Sequence, residues 1–212
     1  MGQLYMPILQ VSKFNHKTRK IKSETFAFNF FAKLTEIGKE TYHNNLIADM
    51  ISEYYQKGWR CFLTFAGEYA TPNPLLKGGL NLYGYYRHFN EKKQADIILT
   101  DHKTFKVNGK KEYELHIDVR YKYIVNFSKE EYYVVSNNNS DYSSLALLTA
   151  DGNNPGNGGD YKYKDVSFVG RWKGDEIAVS DTFDIVEREI KNDLKFKNST
   201  RWKEITPNFE NY

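Results

Sequence analysis

Apolar and polar positions alternate along the chain with two different periods, and the changes of period mark the first elements. Residues 3–12 are predicted to form a first strand, and residues 25–33 alternate at a period of two, which predicts a second. Apolar side chains then recur at helical spacing, at Leu46, Ile47, Met50, Ile51 and Tyr54. From Trp59 the period returns to two. The pattern therefore predicts a helix over 46–57 that ends at Lys57-Gly58, with Gly58 as C-cap, followed by a strand over 60–71.

The middle of the chain combines a turn-rich segment with the longest alternating run. Residues 72–94 begin with turn formers and become aromatic, which predicts a long, mobile hairpin or loop. Short apolar runs follow around Ile97 and Phe105, and Asn108-Gly109 is a strong hairpin signal. Residues 112–127 then alternate over their whole length, so we expect a strand with one face on the core and one in water.

Beyond residue 135 the composition changes. Asn- and Gly-rich segments flank a short apolar patch at residues 145–148, and they predict flexible loops. The pattern also predicts strands at 166–169 and 176–179 and an amphipathic helix over 181–194. We therefore expect one domain over residues 1–135 and a C-terminal strand-and-helix extension over residues 136–212.

Composition limits the class of protein. Hydrophobic residues make up 40% of the chain and aromatic residues 16%, enough for a sizeable core. The single cysteine, Cys61, excludes an internal disulfide and a cysteine-based zinc site, and it favours a reducing cytoplasm. The sequence shows neither an export signal nor a membrane span, so we expect no membrane partner.

Positive charge is concentrated in the first part of the chain. Residues 1–135 carry 20 Lys and Arg against 14 Asp and Glu, whereas residues 136–212 carry 10 against 13. The segment KFNHKTRKIK, residues 13–22, holds five basic residues and no acid. Such a run is typical of a surface that contacts phosphates, although a solvated hairpin turn has the same composition.

Three stretches carry a resemblance to a known family. FNFFAK (28–33), SEYYQKG (52–58) and RCFLTFAGEYAT (60–71) resemble the OB-fold single-stranded-DNA-binding proteins of bacteria and phages. The resemblance covers about residues 25–71, and the strand over 112–127 fits the last strand of the barrel by its position. It implies a mainly β, α+β chain: a five-stranded OB-like barrel with a helix between strands 3 and 4.

A binding protein of this kind needs cations for phosphates and aromatic faces for bases, at about 1–3 kcal/mol per stacked base. The segment 77–93 interleaves both, and the basic run 13–22 adds further cations. We therefore expect sequence-tolerant binding of single-stranded DNA, without cofactor, metal or catalysis, in phage or mobile-element DNA replication or recombination in a bacterial host. The predicted nucleic-acid-binding residues are Lys13, Lys17, Arg19, Lys20, Lys22, Trp59, Arg60, Lys77, Tyr83, Tyr85, Tyr86, Arg87, Phe89, Lys92, Lys93, Arg120 and Lys122.

Two other classes stay open. A β-rich virion or protein–protein interaction protein would use the same aromatic residues for apolar contacts, and salt separates the two, since only phosphate binding weakens steeply with it. A nuclease would need carboxylates such as those of Asp96, Asp101, Glu112 and Glu114, beside Lys110 or Lys111. No HxH, HExxH or Cys-His spacing supports a metal site. Self-association and contacts of the C-terminal part with replication or recombination proteins are further expectations.

Overall fold

The computed structural model describes residues 3–34, 36, 41–88, 94–95, 97–99, 104–107, 109, 111–114, 121–135, 144–152, 166–197, 199–207 and 209. These residues form a mixed α+β structure. Its strands are β1 (Leu4–Asn15), β2 (Lys20–Phe28), β3 (Ala32–Lys33), β4 (Arg60–Gly67), β5 (Gln94–Ala95), β6 (Ile97–Leu99), β7 (Thr104–Val107), β8 (Lys111–Glu114), β9 (Tyr123–Asn126), β10 (Glu131–Val134), β11 (Ala150–Asp151), β12 (Ile177–Ser180) and β13 (Lys203–Ile205). Its helices are α1 (Thr41–Gln56), α2 (Leu82–His88), α3 (Ser144–Thr149) and α4 (Asp184–Lys197).

The first sheet is built around β1. Its strand order is β11-β4-β1-β2-β5, with the short β3 also beside β1. The strand β1 is antiparallel to β2 from Ile8↔Ala27 to Asn15↔Lys20, and antiparallel to β4 from Tyr5↔Gly67 to Ser12↔Arg60. Because side chains alternate along a strand, this sheet has one face with the odd positions of β1 and another with the even positions.

The remaining strands that the structure describes form two smaller sheets. The order β12-β9-β10-β13 forms a four-stranded sheet, and β6-β7-β8 forms an antiparallel three-stranded one. Among the described residues, one isolated bridge, Phe62↔Glu176, joins β4 of the first sheet to the residue before β12 of the second. These sheets are open, and the described strands do not close a barrel. The five-stranded OB-like barrel expected from the sequence is not observed among them: β3 pairs with β1, and β8 and β9, which cover the expected last strand, lie in the two smaller sheets.

Helix α1 packs on the odd face of the first sheet. It contributes Leu46, Ile47, Met50 and Ile51 to the main core, as their spacing predicts. The predicted C-cap is confirmed: Gly58 has a φ of +73°, and its N–H donates to the carbonyl of Tyr55 at 2.8 Å. The helix begins at Thr41, earlier than the apolar pattern alone indicates.

The main core includes both sides of the expected domain boundary at residue 135. Residues 145–148 and Trp172 are fully buried in the same cluster as Leu9 and Ile47. The strands β12 and β13 pair with β9 and β10, so residues from both parts also share the second sheet. The described residues before and after position 135 thus share one core and one sheet.

Several predicted elements differ from the observed ones. The segment expected to be a hairpin or loop contains α2, and the strand expected at 166–169 is a 3-10 turn, Val166–Phe168. The apolar patch at 145–148 lies in the buried helix α3, and the Asn- and Gly-rich segments expected to be loops lie almost entirely outside the described residues. The strand over 112–127 is observed as β8 and β9, and residues 115–120 lie outside the described residues.

Other predictions are confirmed. A hairpin joins β7 to β8 near the signal Asn108-Gly109, with Gly109 at a φ of +65°, but Val107 lies opposite Lys111, so three residues separate this pair rather than the two that the signal predicts. The strand expected at 176–179 is β12, and the amphipathic helix expected over 181–194 is α4. None of the helices in the described ranges is long and apolar enough to cross a membrane.

Candidate nucleic-acid interface

The basic run folds as a two-stranded arm, which we call the basic arm and define as residues 13–22. Its pairing continues to Asn15↔Lys20 at the tip, whereas β4 stops pairing at Ser12. The turn is closed by the side chain of Asn15, whose Oδ1 accepts the N–H groups of Lys17 at 3.0 Å and Thr18 at 3.1 Å. All ten residues of the arm are exposed. The arm therefore projects beyond the rest of its sheet.

The cations of the basic arm are largely unneutralised. Of the five, only Lys22 pairs with a carboxylate of the described residues, that of Glu24, with 2.8 Å between Nζ and Oε1. Lys13 donates to the carbonyl oxygen of Lys57. Lys13 and Lys22 also lie directly opposite each other in the ladder, a placement of like charges that costs stability. A bound anion would reduce this repulsion.

Trp59 and Arg60 lie at the base of the arm, but both have partners within the fold. Trp59 is half-buried against the main core, and the Lys22 ammonium lies 5.2 Å from its ring centroid. Arg60 donates to the carboxylate of Glu176 at 2.6 Å and 2.8 Å, and its guanidinium covers the ring of Phe62. Trp59 thus offers part of its ring, while the charge of Arg60 is largely compensated.

The arm also presents an apolar pair that the sequence-based prediction missed. Phe14 and Ile21 are cross-strand neighbours on the even face and are 48% and 70% exposed. The ring of Phe14 meets His16 edge to face at 4.9 Å. The signal was the alternation in KFNHK, which places Phe14 on the opposite face from Lys13. An exposed aromatic ring offers a face on which a base can stack.

The tyrosine-rich segment has a structural role in this conformation. Helix α2 packs on the even face of the first sheet, where Tyr83 and Tyr86 join Met6, Ile8 and Ala66 in a second core cluster. Tyr83 is 3% exposed and Tyr86 is 7% exposed, so neither offers a free face to a base. Burial raises the pKa of Tyr83, against the opposing effect of Arg87, and the phenol stays protonated. The sequence predicted that these two tyrosines stack on bases; in the structure they pack in the core instead.

The remaining predicted residues do not gather around the arm. Tyr85 is half-buried and meets Tyr86 edge to face, and Arg87 is exposed beside Tyr83. The helix α2 contacts β1 near Met6, seven residues from Lys13, which is about 23 Å along an extended strand. Lys77 lies in a short turn before α2, and Lys122 is exposed at the start of β9. Phe89, Lys92, Lys93 and Arg120 lie outside the described residues.

The chemistry available to an enzyme is limited in the part of the chain that the structure describes. No group of three His, Cys, Asp or Glu there could hold a metal ion. Burial, with the nearby charge of Glu176, raises the pKa of the Cys61 thiol to about 12, so it is protonated and not a nucleophile. Of the residues considered for a nuclease, Glu112, Glu114 and Lys111 lie on β8, and Asp96, Asp101 and Lys110 lie outside the described residues.

Comparisons with family models, with curated proteins and with solved structures found no match.

Proposed function

We propose that the protein binds single-stranded DNA through the basic arm, independently of base sequence and without catalysis. One observation carries the proposal: ten consecutive exposed residues project from a sheet with five cations and no acid. Four of the five, all but Lys22, have no carboxylate partner among the described residues. Cations held in this way release counterions from a nucleic-acid backbone, which is the main source of sequence-independent affinity.

The exposed ring of Phe14 favours a single strand over a duplex. A base can stack on an aromatic face only when it is not already stacked and paired in a helix. Phe14 and the accessible part of Trp59 lie on opposite faces of the arm, and Lys22 lies over the ring of Trp59. A strand could therefore place phosphates along the cations and bases against either ring.

The proposal includes a scaffold and a biological setting. The order of β1, β2, α1 and β4 supports an OB-like framework, with the arm as the long hairpin between its first two strands. We propose a role in phage or mobile-element replication or recombination, in the reducing cytoplasm of a bacterial host. Self-association and contacts with replication or recombination proteins belong to the same proposal.

A protein-binding role is the second candidate, and a specific observation favours it. Phe14 and Ile21 form an exposed apolar pair at the end of the arm, which an apolar partner surface would cover. Binding to such a partner would change little with salt, because it would not depend on phosphate charges.

Fluorescence anisotropy of a labelled oligo-dT tests the proposal. The protein is titrated into the labelled strand at low and at raised salt, with unlabelled duplex as competitor. We expect saturable binding that weakens steeply with salt and that duplex DNA competes for poorly. Absence of binding at low salt would reject the proposal and leave the protein-binding role, which pull-down and sizing experiments would then address.

A further inference from the structure

Away from the basic arm, a cavity lies between α2 and the turn that follows β4. The cavity has a volume of about 440 Å³ and is lined by Glu68, Leu80, Asn81, Tyr83, Arg87 and His88, among others. This volume is within the range of small-molecule sites in proteins, roughly 300–1,000 Å³.

The walls of this cavity are held by a network centred on Asn81. Its side-chain Nδ2 donates to the carbonyl oxygens of Glu68 at 2.8 Å and Ala70 at 3.0 Å. Its Oδ1 accepts the N–H of Gly84 at 2.8 Å, which caps the first turn of α2. One side chain thus fixes the turn, the end of β4 and the helix relative to each other, so the cavity is formed before any ligand binds.

Arg87 presents a positioned cation to the cavity. Its guanidinium donates to the Tyr83 hydroxyl and lies over the rings of Phe31 and Tyr83, at 5.3 Å and 5.6 Å from their centroids. No carboxylate of the described residues forms an ion pair with it. A guanidinium held by aromatic rings, with donors left over, suits bidentate binding of a phosphate.

The other walls restrict the class of ligand. Glu68 brings a carboxylate to the cavity, which accepts hydrogen bonds and disfavours a ligand that is only an anion. Leu80 and Tyr83 add apolar surface. The ligand therefore needs an anionic group for Arg87, hydroxyl or amino donors for Glu68, and a body large enough to reach both.

We propose that this cavity binds a nucleotide through its 5′-phosphate. Arg87 holds the phosphate, and Glu68 accepts a hydrogen bond from a hydroxyl or amino group of the nucleoside. The site is distinct from the basic arm and does not depend on strand binding there. The same phosphate could belong to a free nucleotide or to the 5′ end of a strand, and the test separates these sources.

Titration calorimetry with thymidine 5′-monophosphate and thymidine tests this site on the intact protein. We expect saturable binding of the nucleotide and at least about tenfold weaker binding of the nucleoside, since the phosphate supplies the charged hydrogen bonds. The Arg87→Gln variant should weaken nucleotide binding by about the same factor. Lys195→Gln, on α4, removes one exposed cation outside both proposed sites and should leave nucleotide binding unchanged.

The source of the phosphate is tested with short dT strands that carry either a 5′-phosphate or a 5′-hydroxyl. Tighter binding of the phosphorylated strand, lost in Arg87→Gln, assigns the cavity to strand ends; equal binding of the two strands, with nucleotide binding intact, assigns it to free nucleotides. Equal affinity for nucleotide and nucleoside, or no saturable nucleotide binding, would overturn the proposal. Both of these results are obtained with the wild-type protein, so they reject the proposal even where Arg87→Gln fails to fold.

Discussion

At the scale of single residues, Glu131 links two elements through charged hydrogen bonds. It is buried on β10, where its carboxylate accepts Arg171 Nε at 3.0 Å and Trp172 Nε1 at 2.8 Å, and Arg171 Nη2 completes a bidentate pair. Burial by itself would raise the pKa of Glu131. The hydrogen bonds from Arg171 and Trp172, with the charges of Arg171 and Lys129, outweigh burial and lower that pKa below its ordinary value of 4.5.

This lowered pKa predicts a pH-dependent contribution to stability. A carboxyl with a depressed pKa in the folded state stabilises the fold above its unfolded pKa, and the contribution is lost as the pH falls through the folded pKa. We expect Glu131→Gln to cost about 1–3 kcal/mol of unfolding free energy at neutral pH. The difference from wild type should shrink as the pH drops below 4.5. Urea unfolding of both proteins over this pH range measures it, and a constant difference would contradict this account.

Position 170 requires a glycine, because the backbone of Ala150 lies close to it. The φ of Gly170 is +73°, and an added Cβ would lie 2.3 Å from the carbonyl oxygen of Ala150. Gly109 has a similar φ of +65° but no atom within 4 Å of an added Cβ. Gly109→Ala therefore isolates the cost of the left-handed conformation, about 1–2 kcal/mol. In thermal unfolding, we expect Gly170→Ala to lose clearly more stability than Gly109→Ala. Equal losses of stability would show that the backbone of Ala150 does not crowd position 170.

At the scale of elements, the basic arm is expected to bind through a ring as well as through charge. Phe14→Ala should weaken oligo-dT binding by about 1–3 kcal/mol if one base stacks there. The fold should keep its stability, because the ring is half exposed. Leu75→Ala removes another exposed apolar side chain, in the turn before α2, and serves as the control. Anisotropy titrations measure both variants, and equal affinities of the two would exclude stacking on Phe14.

The sequence predicted the elements whose periodicity is long and regular. The spacing of apolar residues directly predicted the strands around β1, β2 and β4, the helix α1 with its Gly58 cap, and the helix α4. Helix α2 was missed because Gly84 interrupts LYGYYRH and because Asn81, its cap, sits among turn formers. Helix α3 has apolar or small side chains all round, so no period separates it from a buried strand.

The candidate site was predictable only in its charge. The cations of residues 13–22 are adjacent in sequence, so composition alone shows them. Burial depends on tertiary packing, and nothing in YGYYRH indicates that Tyr83 and Tyr86 face Met6 and Ile8 while Phe14 stays exposed. A pairing between distant segments, such as Arg60 with Glu176, is equally invisible before the chain folds.

At the scale of the whole molecule, the shared core predicts a single cooperative unit. Residues 145–148 and Trp172 fill the same core as Leu9 and Ile47, and β11 pairs with β4. A fragment of residues 1–135 would expose this core and lose β12 and β13, the strands that flank β9 and β10. We expect the fragment not to fold by itself, and the intact chain to unfold in one transition. Circular dichroism of both tests this, and a folded fragment would restore the boundary expected from the sequence.

The central claim, that the basic arm binds a single strand through phosphates, is tested most directly by the salt dependence of two matched variants. The arm variant combines Lys17→Gln, Arg19→Gln and Lys20→Gln. The control combines Lys191→Gln, Lys195→Gln and Lys203→Gln, exposed lysines of α4 and β13. Each variant lowers the formal net charge from +3 by three, to zero, so they differ only in where the charge is lost.

The measured quantity is the slope of log Kd for oligo-dT against log salt concentration, obtained by anisotropy. Each phosphate contact on a single strand contributes about 0.7 to the magnitude of the slope. We expect the magnitude of the slope to be smaller than that of wild type by up to about 2 in the arm variant, and to equal that of wild type in the control. Equal slopes in the two variants, or a wild-type slope near zero, would contradict the claim that the arm contacts phosphates.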